Sequence, residues 1–233
     1  MNKKKLDDVF DWYIAKFDAF NENYKWAACQ QFRDNWDINA TNFANMLNLA
    51  LGRHPGGGGL GNLVESGRHR AFSGLLIFAE NEPETVRAMF ASLFSEGDLR
   101  ERIERFMQDS HPLVEKYGEK DGYKSYKQDI AAVMDYLACW KPDEYFFYKY
   151  TEANKFAKEV EFDGKIEQWP KFSPRVYYRM CNELIEAMRQ REDLLRVNAT
   201  RFTKDSRKLW PDRSLHILAH DVIFCSCEER YYN

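Results

Sequence analysis

Tyr136-Leu-Ala-Cys-Trp-Lys-Pro-Asp-Glu-Tyr-Phe-Phe-Tyr-Lys-Tyr150 decides how the rest of the chain is read. These fifteen residues hold seven aromatic side chains. Upstream, Ile130, Val133, Met134 and Leu137 fall on one stripe of a helix that runs into the stretch. Pro142 ends that helix, because it has no backbone N–H and pushes Lys141 out of the helical region. Beyond it, Tyr145, Phe146, Phe147, Tyr148 and Tyr150 can bury more area than any other short segment. The remaining helices are therefore expected to pack around this knot, with the 145–150 run itself the exception to helix. The simplest reading of this cluster is core; the sharper one is that Lys149, between two tyrosines, presents a cation at a ligand-facing edge.

Working outward towards the N-terminus, helical spacing recurs. Leu6, Phe10, Tyr13, Phe17 and Phe20 mark one helix, and Tyr24, Ala28, Phe32 and Trp36 a second. Asp37-Ile-Asn39 offers a cap for a third, carrying Phe43, Met46, Leu47, Ala50 and Leu51. Phe72 to Phe78 predicts a helix that stops near Asn81. Pro83 then opens the next, with Val86, Met89, Phe90 and Leu93 inward. Leu99, Ile103, Phe106 and Met107 mark a helix over 98–108, and 110–122 reads as a polar connection.

Towards the C-terminus, Thr151 to Val160 predicts a short helix, and Trp169-Pro170 a boundary. Ser173-Pro174 supplies an N-cap and first-turn proline for a long helix running to Leu195. Leu215 to Cys225 closes the pattern with Leu218, Ala219, Val222 and Ile223 on one face. No strand-like alternation is long enough to build a sheet. The expected fold is all-α: a main helical domain over 1–168 with a Gly-rich loop at 52–61, and a C-terminal helical segment over 169–233 packed on it.

The chain has 233 residues, 44% hydrophobic and 30% charged, with net charge −3. No run approaches the roughly 18–20 apolar residues that span a bilayer. The basic start is followed by Leu6-Asp-Asp-Val-Phe10 where a signal peptide needs an apolar core, so a cytoplasmic protein without membrane contact is expected. Five scattered cysteines suit reduced thiols.

Few residue patterns suggest chemistry. Gly56, Gly58 and Gly61 satisfy G-x-G-x-x-G, but a helix precedes them instead of a strand. Asn62-Leu63 stands where a phosphate-binding loop needs Lys followed by Ser or Thr. His216 and His220 share a helix face ahead of Cys225 and Cys227, and could be read as a zinc site. Packed histidine and buried thiols explain them more simply. No catalytic residue, metal or cofactor is expected. Charge is more suggestive: over 189–208, Arg189, Arg191, Arg196, Arg201, Lys204, Arg207 and Lys208 oppose only Glu192, Asp193 and Asp205. With Arg68 and Arg70, and with Trp210 nearby, Arg189, Arg196, Arg201, Lys204, Arg207 and Lys208 form a candidate nucleic-acid surface. The competing reading is a solvated helix whose charges pair with one another.

Several stretches carry a family resemblance: Tyr24-Lys-Trp-Ala-Ala28 with Phe32 and Trp36-Asp-Ile38; Asn62-Leu63 with Pro83-Glu-Thr-Val-Arg87; Asp98-Leu99 with Arg102-Ile103; Pro142-Asp-Glu-Tyr145 with Tyr148-Lys-Tyr150; and Asp221-Val-Ile-Phe224. Together they resemble the helical N-terminal region of McrB-like AAA+ proteins of bacterial defence and modification-dependent restriction. His220 stands where that pattern would have Gln before Asp221. The resemblance implies a non-enzymatic sensor that recognises DNA, RNA or a phage-derived component, with an AAA+ motor and a nuclease subunit as partners. The alternative is a protein–protein adaptor that touches no nucleic acid.

Overall fold

The computed structural model describes residues 1–20, 22–52, 61–65, 68–118 and 125–227, with the side chains of residues 61 and 62 outside the description. The Gly-rich loop expected at 52–61 falls almost wholly outside these residues. What is described is all-α, and no strand is present among the described residues.

The helices are α1 (Lys3–Lys16), α2 (Tyr24–Asn35), α3 (Phe43–Leu51), α4 (Gly61–Val64), α5 (Ala71–Asn81), α6 (Pro83–Leu93), α7 (Leu99–Tyr117), α8 (Ile130–Trp140), α9 (Tyr150–Glu159), α10 (Pro174–Arg189), α11 (Glu192–Ala199), α12 (Arg201–Lys204) and α13 (His216–Cys225). Side-chain caps start several of them. Asn2 accepts from the Lys5 N–H, Asn42 from Asn45, Asp98 from Glu101, Asp129 from Ala132 and Ser173 from Val176. Asn42 thus caps α3, in place of the expected Asp37 to Asn39.

Two layers result. In the first, α2 packs on α3 and α8, and α5, α6 and α7 pack against one another, with α7 returning to α8. In the second, α13 is surrounded by α1, α9 and α10, and α11 bridges α1 and α10. α1 therefore joins the C-terminal helices, and one hydrophobic core runs without a break from Leu6 to Cys225. Trp169-Pro170, which is cis, is a turn between α9 and α10, and the core is continuous across it.

The aromatic run lies in the seam between the layers. Residues 145–149 are neither helix nor strand. Phe146, Phe147 and Tyr148 are buried, whereas Tyr145 is only half-buried. Phe146 stacks on His216 with ring centroids 3.9 Å apart and meets Tyr178 edge-on at 5.0 Å. Tyr148 packs on Phe172 and Tyr177, whose hydroxyl donates to the Phe147 carbonyl at 2.6 Å. The knot thus joins layers, instead of forming the centre of one.

Two elements differ from the sequence reading. α7 continues through Pro112 to Tyr117, where a polar connection was expected, because Leu113 is buried and Val114 packs on the core. The long helix after Ser173-Pro174 stops at Arg189, and a separate helix, α11, starts at Glu192. No helix among the described residues is long and apolar enough to cross a membrane.

Candidate functional site

The residues that carry the family resemblance meet one another inside the molecule. Asp221 on α13 is fully buried, and three elements converge on it. Lys25 of α2 donates to one carboxylate oxygen at 2.7 Å; the Tyr13 hydroxyl of α1 donates to the other at 2.5 Å, and Arg201 of α12 at 3.2 Å. Glu22 lies 3.1 Å from the Lys25 ammonium. Burial alone would discharge Lys25, but Asp221 overrides it and holds the ammonium well above its ordinary pKa. Burial likewise opposes the Asp221 charge, and Lys25 and Arg201 reverse that, leaving its pKa lowered. The network is a fully paired internal anchor, and every member is buried.

Arg201 is accordingly withdrawn from the candidate nucleic-acid surface. Its guanidinium lies over the Trp26 ring, 3.7 Å from the ring centre, and donates to Asn198 at 2.8 Å and Asn23 at 2.5 Å. It is 2% exposed. Sequence position placed it in a basic stripe; its contacts with Trp26, Asn23 and Asp221 turn it inward.

The other cations expected at that surface are mostly matched by carboxylates. Arg189 pairs with Glu186 at 2.7 Å, Lys204 with Asp18 at 2.8 Å, Arg207 with Asp205 at 2.7 Å and Lys208 with Asp34 at 3.0 Å. Arg191, in the same segment, reaches Asp11 at 2.6 Å, Asp193 at 2.8 Å and Asp7 at 3.4 Å. Arg196 is exposed and makes no ion pair among the described residues. Arg70 donates to Ser73 at 3.1 Å and lies 3.8 Å from Glu65, and Arg68 is exposed beside it. Arg68 and Arg70 sit at the start of α5, where Ser125 N–H donates to the Arg68 carbonyl and Arg70 N–H to that of Ser125. Of the C-terminal cations, Arg191 reaches Asp7 and Asp11, Lys204 Asp18 and Lys208 Asp34, and no ion pair or hydrogen bond among the described residues joins this group to Arg68 and Arg70.

Lys149 lines a cleft of about 490 Å³ with Asp129, Tyr150, Thr151, Gln168 and Trp169. Its ammonium turns inward, donating to the Leu63 carbonyl and lying 3.6 Å from buried Asp135. Burial pushes the Asp135 carboxyl up to about 7, and the nearby Lys149 only moderates the rise. Lys149 therefore offers the cleft its stem more than its charge. The contact ties Asn62-Leu63 to Tyr148-Lys149-Tyr150, two of the resemblance stretches. Arg102 and Arg87, from two others, likewise donate to main-chain carbonyls: Leu93 and Ser95 for the first, Ile38 and Ala40 for the second.

The C-terminal histidines and thiols diverge. His216 stacks on Phe146, His220 is buried against Phe147, Cys225 donates to Asp221 and Cys227 to the Glu152 carbonyl. Among the described residues no three His, Cys, Asp or Glu side chains are arranged to hold a metal ion. Burial lowers the pKa of both histidines. The partners that sequence reasoning missed are Tyr13 and Lys25, the second of them plain within Tyr24-Lys-Trp26. No local signal could have linked either to Asp221, about two hundred residues away.

Compared with known proteins, the sequence matches no protein-family model, no curated protein and no solved structure.

Proposed function

We propose that this chain is a non-enzymatic recognition module, the helical sensor region of a McrB-like AAA+ defence system, and that it recruits a protein partner. One observation favours the adaptor mode over nucleic-acid binding. Read along the chain, 189–208 carries a local charge of +4, seven cations against three carboxylates. In space, Asp7 and Asp11 of α1, Asp18 just after it and Asp34 of α2 stand against those same cations. Four added carboxylates cancel the excess. A phosphate backbone would meet acids beside every reachable cation except Arg196, and counterion release, which drives such binding, would be small.

The reading is tested by fluorescence anisotropy with single- and double-stranded oligonucleotides at two salt concentrations. No affinity tighter than about 10⁻⁴ M at physiological salt is expected, the weak edge of non-specific binding. A tight, salt-steep affinity that falls in Arg196→Glu/Lys208→Glu would overturn the adaptor mode and restore nucleic acid as the ligand. Co-expression with any AAA+ motor encoded in the same reading frame or beside it should give a co-eluting complex on size exclusion. Separate elution would remove support for the McrB-like context.

A further inference from the structure

A row of half-buried aromatic rings crosses the first layer where three helices end. Trp36 follows α2, Phe94 follows α6 and Trp140 is the last residue of α8. Trp36 and Phe94 lie 5.3 Å apart edge-on; Phe94 and Trp140 are parallel at 4.3 Å; and Tyr145 continues the row 5.9 Å beyond Trp140. None of these four rings is fully buried. Three helix C-termini contribute partial negative charge to the same place. The turns that bear the rings, residues 33–37, 94–98 and 141–145, hold two cations against six carboxylates. Asp34 is paired with Lys208 and Glu144 with Lys141, and Asp98 caps α7. Asp37, Glu96 and Asp143 have no ion pair among the described residues.

The chain itself shows what these rings accept. The exposed Lys141 ammonium lies 4.7 Å from the centre of the Trp140 ring, held by Glu144 at 3.0 Å. At the other end, the Arg102 guanidinium approaches the Tyr145 ring at 5.8 Å and donates to its hydroxyl at 3.1 Å. Aromatic faces attract cations through the ring quadrupole, and surrounding carboxylates add to that attraction. They repel phosphate.

We infer that the Trp36–Phe94–Trp140–Tyr145 row is a docking surface for a lysine- or arginine-bearing peptide segment of a partner protein, with one basic side chain displacing Lys141 from Trp140. The inference rests on the recognition-module reading and gives its partner a chemistry. Lys141 is the internal competitor: its side chain is 43% accessible, and its removal leaves the ring free for an incoming cation.

The experiment follows the indole N–H resonance of Trp140 in the full chain. The titrant is a short peptide alternating glycine with lysine and arginine, beside a neutral version carrying norleucine and citrulline. The charged peptide should shift the Trp140 resonance and the neutral one should not. Lys141→Met should tighten binding about threefold, the size of one exposed cation–π contact. Trp140→Leu, with its fold checked by amide dispersion, should weaken binding several-fold at unchanged net charge. A Trp140 resonance that does not move, or equal affinity for parent, Lys141→Met and Trp140→Leu, would overturn the inference. So would a thymidine oligonucleotide shifting Trp140 where the peptide does not. Failure here while an AAA+ motor still co-elutes would remove this surface and leave the module reading standing.

Discussion

Asp221 shows how far a single residue is defined by parts of the chain remote from it. Its two oxygens are taken by Lys25, Tyr13 and Arg201, all buried. Removing one partner of such a group leaves an uncompensated internal charge, which costs about 3–5 kcal/mol. Asp221→Ala should lower the stability of the chain by that amount in urea denaturation. A midpoint equal to the parent's would mean that water reaches Lys25 and Arg201. The pH dependence divides the buried acids. The pKa of Asp221 is lowered, so its contribution is present above the ordinary Asp value of about 3.9 and is lost as pH falls through the folded value. Asp135 and Asp212 behave oppositely, since burial pushes each up to about 7. The folded state then binds their protons more tightly than the unfolded chain. Their contribution is complete below about 3.9 and is lost as pH rises towards 7. Asp135→Asn removes one of these losses, so its stability should fall less than the parent's between about pH 5 and about pH 8. Parallel profiles would show that Lys149 keeps Asp135 charged throughout. Little of this was legible in the sequence. Arg201 counted there as one more cation in a basic stripe, because nothing local says that Trp26 and Asp221 wait for it.

At the scale of elements the sequence was more informative. Apolar spacing located α1, α2, α3, α5, α6, α8, α9 and α13 to within a few residues, because each buries a stripe and the stripe has the period of the helix, whereas the four-residue α4 and α12 gave no such signal. The misreadings share a cause: local composition and periodicity carry no record of the tertiary contacts that extend or end a helix. The polar composition of 110–122 suggested a connection, yet α7 continues through Pro112 to Tyr117. An interior proline removes one backbone hydrogen bond and crowds the carbonyl of Gln108, a cost of up to about 3 kcal/mol, but Leu113 on the far side is buried and holds the helix in register. Pro112 is itself exposed. Pro112→Ala should therefore stabilise the chain by about 1–3 kcal/mol, restoring the bond and the propensity without disturbing the core. An unchanged or lowered thermal midpoint would indicate that α7 needs its proline, for a bend or for packing. In the other direction, the periodicity of 174–195 suggested one long helix, and the break between Arg189 and Glu192 went unseen. There Arg191 turns back to Asp7 and Asp11 of α1, a tertiary reward that no window along the chain contains.

At the scale of the molecule, the aromatic run is a joint between two layers. Phe147 is 1% exposed and lies against His220 of α13, while the neighbouring Tyr148 N–H donates to Asp135 of α8 at 3.3 Å. Short extended segments with no internal hydrogen bonds are poor elements by themselves. This one is held because both layers bury its rings, so its integrity and theirs are the same property. Phe147→Ala should cost about 3–5 kcal/mol, the usual penalty for a large core truncation. How that loss is distributed is the sharper test. If the seam binds the layers into one cooperative unit, amide hydrogen exchange in α5, within the first layer, and in α10, within the second, should lose protection by the same free energy. The Asp221 network argues for that outcome, since Lys25 of α2 reaches across the seam to Asp221 of α13, which also holds Tyr13 of α1 and Arg201 of α12. Loss of protection in α10 with α5 untouched would instead show two units that unfold separately. In that case the layer built on α13 could open while the layer carrying the aromatic row stays folded.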